Sequence, residues 1–389
     1  MKLSYNSLFI TLLFSSLCSA QWTQSTGTES LNIQALLTVG STDFAGGATG
    51  TYRSTNEANS YTLSNTGNDA AGPTRGFTTD GTYIYTCTSQ GVFRSADNGA
   101  TWVSKSAGVT NLLSSGIVYA TPYLILVGPS GVFKSSDSGE SWTTAGLGGT
   151  DVRCVAAINS SIFVGTNGSG LYTSADWGVN WTAINNGLTG TNFRAIEAKG
   201  TTLFAGGQTG SGAFKSIDNG VNWSLIGGGL PTSSFRGFAS NDAMIVAGAW
   251  GGGVFYSLDN GDSWDEINSG LLDLTIFDLA LNDNFIVAAT NTAGVFRFSL
   301  ANITLAVEDF SFKNEISVYP NPTTNAIWVE SEKTLQNTKF TIVDTKGATI
   351  LSGTMTSFKT EINVEKVANG IYYLHVEGIQ NAAFKFIKE

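Results

Sequence analysis

Four arginines, Arg75, Arg153, Arg194 and Arg236, recur at one place in a repeating unit of a chain poor in positive charge. Lysine plus arginine number 20 against 30 aspartates and glutamates, a formal net charge of −10. Guanidinium groups gathered in one place suit carboxylate, sulfate or phosphate, which they grip through paired N–H donors. Counted back from the repeat's glycine, Gln34, Ser115 and Asp278 hold the same position in the other units. Trp250, set among glycines in "GAWGGG", is little covered locally, and an exposed ring there would stack on a sugar. A packing role stands beside each of these readings. Arginines encoded by a repeat also serve to bond backbone carbonyls or neighbouring units, and tryptophan is more often packed than free.

Other chemistry is scarce. His375 is the single histidine and lies far from the repeats, which leaves no His-based triad and no histidine zinc site. Glycoside hydrolysis usually needs two carboxylates across a cleft. On the face that would carry the arginines stand Asp69, Asp151, Asp273 and Asp278, while Glu57, Glu140 and Glu266 fall on turns or outer strands. No catalytic residue, metal or cofactor is assigned. The acidic balance argues against a general nucleic-acid binder.

A repeat must position these residues. Its strongest copies are "SADNGATW" (Ser95 to Trp102), "SSDSGESW" (Ser135 to Trp142), "SADWGVNW" (Ser174 to Trp181), "SIDNGVNW" (Ser216 to Trp223) and "SLDNGDSW" (Ser257 to Trp264). A degenerate copy, "STNEANSY", runs from Ser54 to Tyr61, and the Trp/Tyr positions are spaced by 41, 40, 39, 42 and 41 residues. Before each turn comes a glycine and an aromatic strand, at Gly50, Gly91, Gly131, Gly170, Gly212, Gly253 and Gly294. The last, "GVFRFSL", has no turn or tryptophan after it, and "QWTQSTG" at Gln21 to Gly27 has a tryptophan with no turn before it. A unit of about 40 residues with four short strands is the size of a β-propeller blade. Blade 4 reads "VRCVAA", "SIFVGT", "GLYTSA" and "NWTAIN", strands A to D from innermost to outermost. The expected fold is all-β: a seven-bladed propeller over 21–300, closed by the N-terminal strand as the outer strand of blade 7. Cys87 and Cys154 fall two blades apart and are expected as separate buried thiols.

The repeats resemble the Asp-box, or BNR, repeats of sialidases, sortilin-type receptors, xyloglucan-cleaving propellers and photosystem assembly-factor propellers. The resemblance implies that Asp97, Asp137, Asp176, Asp218 and Asp259 are structural, each bracing a C–D turn. It also implies two functions: a non-catalytic module binding a glycan or an extracellular protein, or a glycoside hydrolase of sialidase-like or xyloglucanase-like type. Trp177, inside one such turn, is expected to be exposed on the face away from the arginines.

The chain ends carry an itinerary. Lys2, the apolar run Leu8 to Leu17 and the small residues Cys18-Ser19-Ala20 make 1–20 a signal peptide, with no transmembrane segment after its cleavage. A linker covers 301–314. From Glu315 lysine rises and alternating strands appear ("ISVYP", "AIWVE", "KFTIVD", "IYYLHVE", "AFKFIK"), the pattern of a small antiparallel β-sandwich over 315–389. Tyr319-Pro320-Asn321-Pro322, Asn369-Gly370-Ile371-Tyr372 and the terminal Lys385-Phe386-Ile387-Lys388-Glu389 resemble the C-terminal sorting domain of the type IX secretion system of Bacteroidota. The resemblance implies the secretion machinery as a partner and a place outside the cell or on its outer surface, reached through the periplasm.

Overall fold

The structure, a computed structural model, describes residues 22–68, 72–208, 211–303, 316–331, 338–344, 348–376 and 383–389. The segment expected as a signal peptide, Asp69 and the expected linker from residue 304 onward lie outside the described residues. The chain divides into two compact units, Met1–Ile303 and Thr304–Glu389.

The first unit holds seven four-stranded antiparallel sheets. Six run in simple chain order, and the seventh takes its outer strand, Trp22–Gln24, from the N-terminus. Trp22 faces Phe298, Thr23 faces Arg297 and Gln24 faces Phe296. The Trp22 indole packs 5.3 Å from the Phe298 ring and donates to the Ile267 carbonyl of blade 6. This pairing closes the ring and gives blade 7 the fourth strand that its own stretch of chain lacks.

Burial follows position within a blade. Strands B, such as Tyr123–Gly128 and Ile245–Ala249, lie between two neighbouring blades and are apolar almost throughout. Strands D shrink to exposed pairs such as Thr143–Thr144. Strands A are Ile33–Val39, Thr74–Thr79, Gly116–Ala120, Val152–Ile158, Phe193–Lys199, Phe235–Ser240 and Ile276–Leu281. Each packs on the strand A of the next blade, and Ile276–Leu281 packs back on Ile33–Val39.

The repeated turns work as local braces. In blade 2 the Ser95 hydroxyl donates to Asp97 at 2.7 Å, the Gly99 N–H donates to Ser95 Oγ, and Thr101 donates to Asp97 from both its N–H and hydroxyl. The same frame recurs around Asp137, Asp176, Asp218 and Asp259, with a serine hydroxyl as the side-chain donor at Asp137 and Asp259 and an asparagine amide at Asp176 and Asp218. These donors favour the ionised form and hold Asp97, Asp137 and Asp176 down at about 2. Asn56 keeps the acceptor role in the degenerate copy, taking bonds from Ser54 and Ser60. Trp177 is half-buried rather than exposed, because its ring packs 5.1 Å from Tyr123. Cys87 and Cys154 are free and buried, and burial pushes both thiols up to about 12.

The second unit pairs a three-stranded sheet (Ile316–Tyr319, Ala326–Ser331, Lys359–Asn363) with a four-stranded one (Thr349–Thr354, Lys339–Asp344, Gly370–Val376, Ala383–Lys388). Ile327, Val329 and Ile362 of one sheet meet Phe340, Ile342, Leu374 and Phe386 of the other in one apolar core. Thr349–Thr354 and Lys359–Asn363 are strands that the alternation of apolar residues did not reveal. The first is an edge strand, half-buried at most, so little hydrophobic pattern marks it.

Candidate functional site

At the end of the channel where the seven strands A begin lies an open cavity of about 250 Å³. Arg75, Arg153, Arg194 and Arg236 all line it, together with Gln34, Ser115 and Asp278. The backbone supplies the reason. Strand A carries a bulge at its start in six blades, between Ile33/Ala35, Thr74/Gly76, Val152/Cys154, Phe193/Ala195, Phe235/Gly237 and Ile276/Asp278. The bulged residues are therefore Gln34, Arg75, Arg153, Arg194, Arg236 and Phe277. A bulge leaves one residue out of the ladder and re-aims its side chain, here toward the cavity.

This register corrects one assignment. Phe277, not Asp278, occupies the arginine position of blade 7, because the buried strand start before it is Ile276. Counting from the distant glycine missed it; counting from the buried residue that opens each strand A reveals it. Asp278 still lines the cavity, but its carboxylate accepts the Leu36 N–H at 2.8 Å and the Leu279 N–H at 2.9 Å. It thus ties blade 7 to blade 1 rather than pairing with an arginine. Gly237 allows the close approach here, since a Cβ on it would stand 2.7 Å from the Asp278 Cα.

Each arginine has its own setting. Arg153 forms an ion pair with Asp151, which also accepts from the Asn167 amide at 3.0 Å. Arg194 donates from Nε to Gln208 Oε1 at 3.0 Å. Arg236 lies 3.7 Å over the Trp250 ring and 5.2 Å from that of Phe277, and these two rings meet edge to face at 5.1 Å. Arg75 is exposed. Among the described residues no carboxylate stands within ion-pair distance of Arg75, Arg194 or Arg236, and the buried Nε atoms of Arg153 and Arg236 have no partner. Burial, then the charge of Arg153, lowers the Arg194 pKa; burial, then Arg194, brings Arg236 down to about 10. Both remain cations at neutral pH.

Trp250 is 39% exposed, so it is part of the packing around Arg236 and part of the rim. Deeper on strand A of blade 5, Glu197 accepts from the Ser240 hydroxyl at 2.8 Å, and burial lifts its pKa to about 7. Burial does the same for Asp278, which also reaches about 7 despite its two N–H donors. The role of Glu197 escaped the repeat register, because no other strand A carries a carboxylate at that depth. Asp273 is held by Thr275 and Thr292 at the edge of blade 7. Among the described residues there is no group of acidic, histidine or cysteine side chains suited to a metal ion, and no helix long and apolar enough to cross a membrane.

Comparison with known proteins places the two units differently. Residues 317–389 match the family described as the secretion system C-terminal sorting domain. The chain is thus an exported protein that reaches the cell surface or the extracellular space through the type IX machinery. No curated protein matches the chain. Among solved structures it is similar to PorZ, a surface component of the type IX secretion system of Porphyromonas gingivalis, at 13% identity and a TM-score of 0.55 over 94% of this chain and 60% of that one. It is also similar to the GH74 xyloglucanase of Xanthomonas campestris, at 14% identity and a TM-score of 0.57 over 82% of this chain and 60% of that one. YCF48 of Cyanidioschyzon merolae aligns at 12% identity and a TM-score of 0.57 over 73% of this chain and all of that one. The chain spans 60% of the first two relatives' length. At such identities the likeness concerns the propeller fold, which hosts unrelated functions.

Proposed function

We propose that this protein is an exported, non-catalytic binding module whose Asp-box propeller takes an anionic group of a glycan or of an extracellular protein at the arginine-lined channel mouth. The observation that carries this reading is the convergence of Arg75, Arg153, Arg194 and Arg236 on one cavity, with only Arg153 facing a carboxylate among the described residues. Like charges gathered in a partly dry site repel, and a bound anion relieves that cost with charge-assisted hydrogen bonds. Trp250 at the rim offers a ring for the ligand's uncharged part. The glycosidase reading gains less support. Asp278 is spent on two backbone N–H groups, Asp151 on Arg153 and Asn167, and Asp273 on Thr275 and Thr292, so among the described residues of that face no pair of free carboxylates is left.

The test is thermal melting of the full chain in sulfate against chloride at equal ionic strength, beside the variant combining Arg194→Ala and Arg236→Ala. Sulfate should raise the wild-type melting temperature by more than the variant's, over the general rise that sulfate gives any folded protein. An equal rise in both proteins would mean that these arginines hold no anion and would remove the basis of the proposal.

A further inference from the structure

The charge count of the cavity narrows the ligand, on the footing that the mouth is an anion site at all. Four guanidinium groups line it. Asp151 offsets Arg153, and Asp278, when ionised, offsets one more charge. Among the residues that line the cavity a surplus of two positive charges then remains, shared by Arg75, Arg194 and Arg236. A single carboxylate leaves part of that surplus uncompensated in a site where burial already penalises Arg194 and Arg236. The donors are also spread around a ring rather than paired on one side: Arg75 belongs to blade 2, Arg194 to blade 5 and Arg236 to blade 6. A planar carboxylate presents its two oxygens in one direction. A tetrahedral phosphate presents three, and can take N–H groups from several blades together.

Space agrees with this. The cavity, at about 250 Å³, admits one such group with a ring-sized body behind it, and not a long folded chain. The guanidinium of Arg236 lies over the Trp250 ring at 3.7 Å, with Phe277 at 5.2 Å, which holds its plane; its Nε is buried, so only its terminal N–H groups are left for a ligand. Ser115 adds a neutral hydroxyl to the lining, and Gln34, whose amide already donates to Asn32 Oδ1 at 2.6 Å, keeps one further N–H for a ligand oxygen. We propose that the channel mouth is selective for a compact dianion, a phosphomonoester carried on a polar body such as a sugar, over monoanions of the same size.

The experiment is isothermal titration of the full chain at pH 7.5 and constant ionic strength with glucose 6-phosphate, glucuronate and glucose. At that pH a phosphomonoester carries nearly two charges and glucuronate carries one. Vesicles containing phosphatidic acid present the same dianion on a lipid, and binding to either source supports the site. The expected result is glucose 6-phosphate binding at least roughly tenfold more tightly than glucuronate, with glucose silent. The advantage should be lost when Arg194→Gln is combined with Arg236→Gln and kept in Lys215→Gln, which breaks an outer ion pair with Asp262. Should the double variant melt without cooperativity, Arg194→Lys serves instead: it keeps the charge, loses the fork, and should weaken glucose 6-phosphate several-fold. Equal affinity for glucuronate and glucose 6-phosphate would overturn the dianion proposal while leaving an anion site in place. Binding of neither would overturn both.

Discussion

Asp278 and Glu197 show how a single carboxyl can report on the channel. Each has a folded-state pKa near 7, because burial outweighs the donors that favour ionisation. In the unfolded chain both titrate near pH 4. Between about pH 4 and 7 the folded protein therefore binds more protons than the unfolded one, and stability falls as pH rises through that window. The slope approaches about 1.4 kcal/mol per pH unit for each group. Asp278→Asn and Glu197→Gln should each flatten the curve obtained from urea unfolding at pH 4.5, 6.0 and 7.5. An undiminished slope in both variants would mean that neither carboxyl is held neutral in the channel. The turn aspartates carry the opposite sign. Asp97, held down at about 2 first by the Thr101 hydroxyl and then by the Thr101 N–H, lends stability above pH 4 that fades as pH falls toward 2. Asp97→Ala should lower the melting temperature more than Asp97→Asn, since Asn56 does the same work in the degenerate copy.

At the scale of the element, the decisive strand is Trp22–Gln24, which completes blade 7. Trp22 is only 2% exposed and anchors on Phe298 and on the Ile267 carbonyl. Trp22→Ala should cost about 3–5 kcal/mol, as large-to-small changes in well-packed cores do. Thermal or denaturant unfolding of the variant checks this, and an unchanged midpoint would mean that the shared blade contributes nothing to closure. This element was legible in the sequence because the spare tryptophan and the missing one sit at opposite ends of one repeat. The arginine ring was legible for the same reason: a repeat copies a side chain into the same place. Phe277 was not, because the bulge is common to the blades while the spacing from strand A to the repeat glycine varies by a residue or two between them, so a count from that glycine slips by one in blade 7. Glu197 was hidden because its importance lies in depth along the channel, a property of packing rather than of spacing. The edge strand Thr349–Thr354 was missed because pairing alone defines it.

For the whole molecule, two units with separate cores keep the candidate site apart from the sorting domain. The sorting domain explains export, and the propeller holds every feature of the candidate site. A chain truncated before Glu315 should fold its propeller and stay in the periplasm, as cell fractionation would reveal; efficient release of the truncated form would contradict the division. The most direct test of the channel mouth itself is a crystal of the full chain soaked in selenate, a tetrahedral dianion visible by its anomalous signal. The expected result is a selenium peak inside the cavity, within hydrogen-bond reach of Arg194 and Arg236. An empty cavity with both guanidinium groups turned onto backbone carbonyls would contradict the claim that this propeller is built to hold an anion.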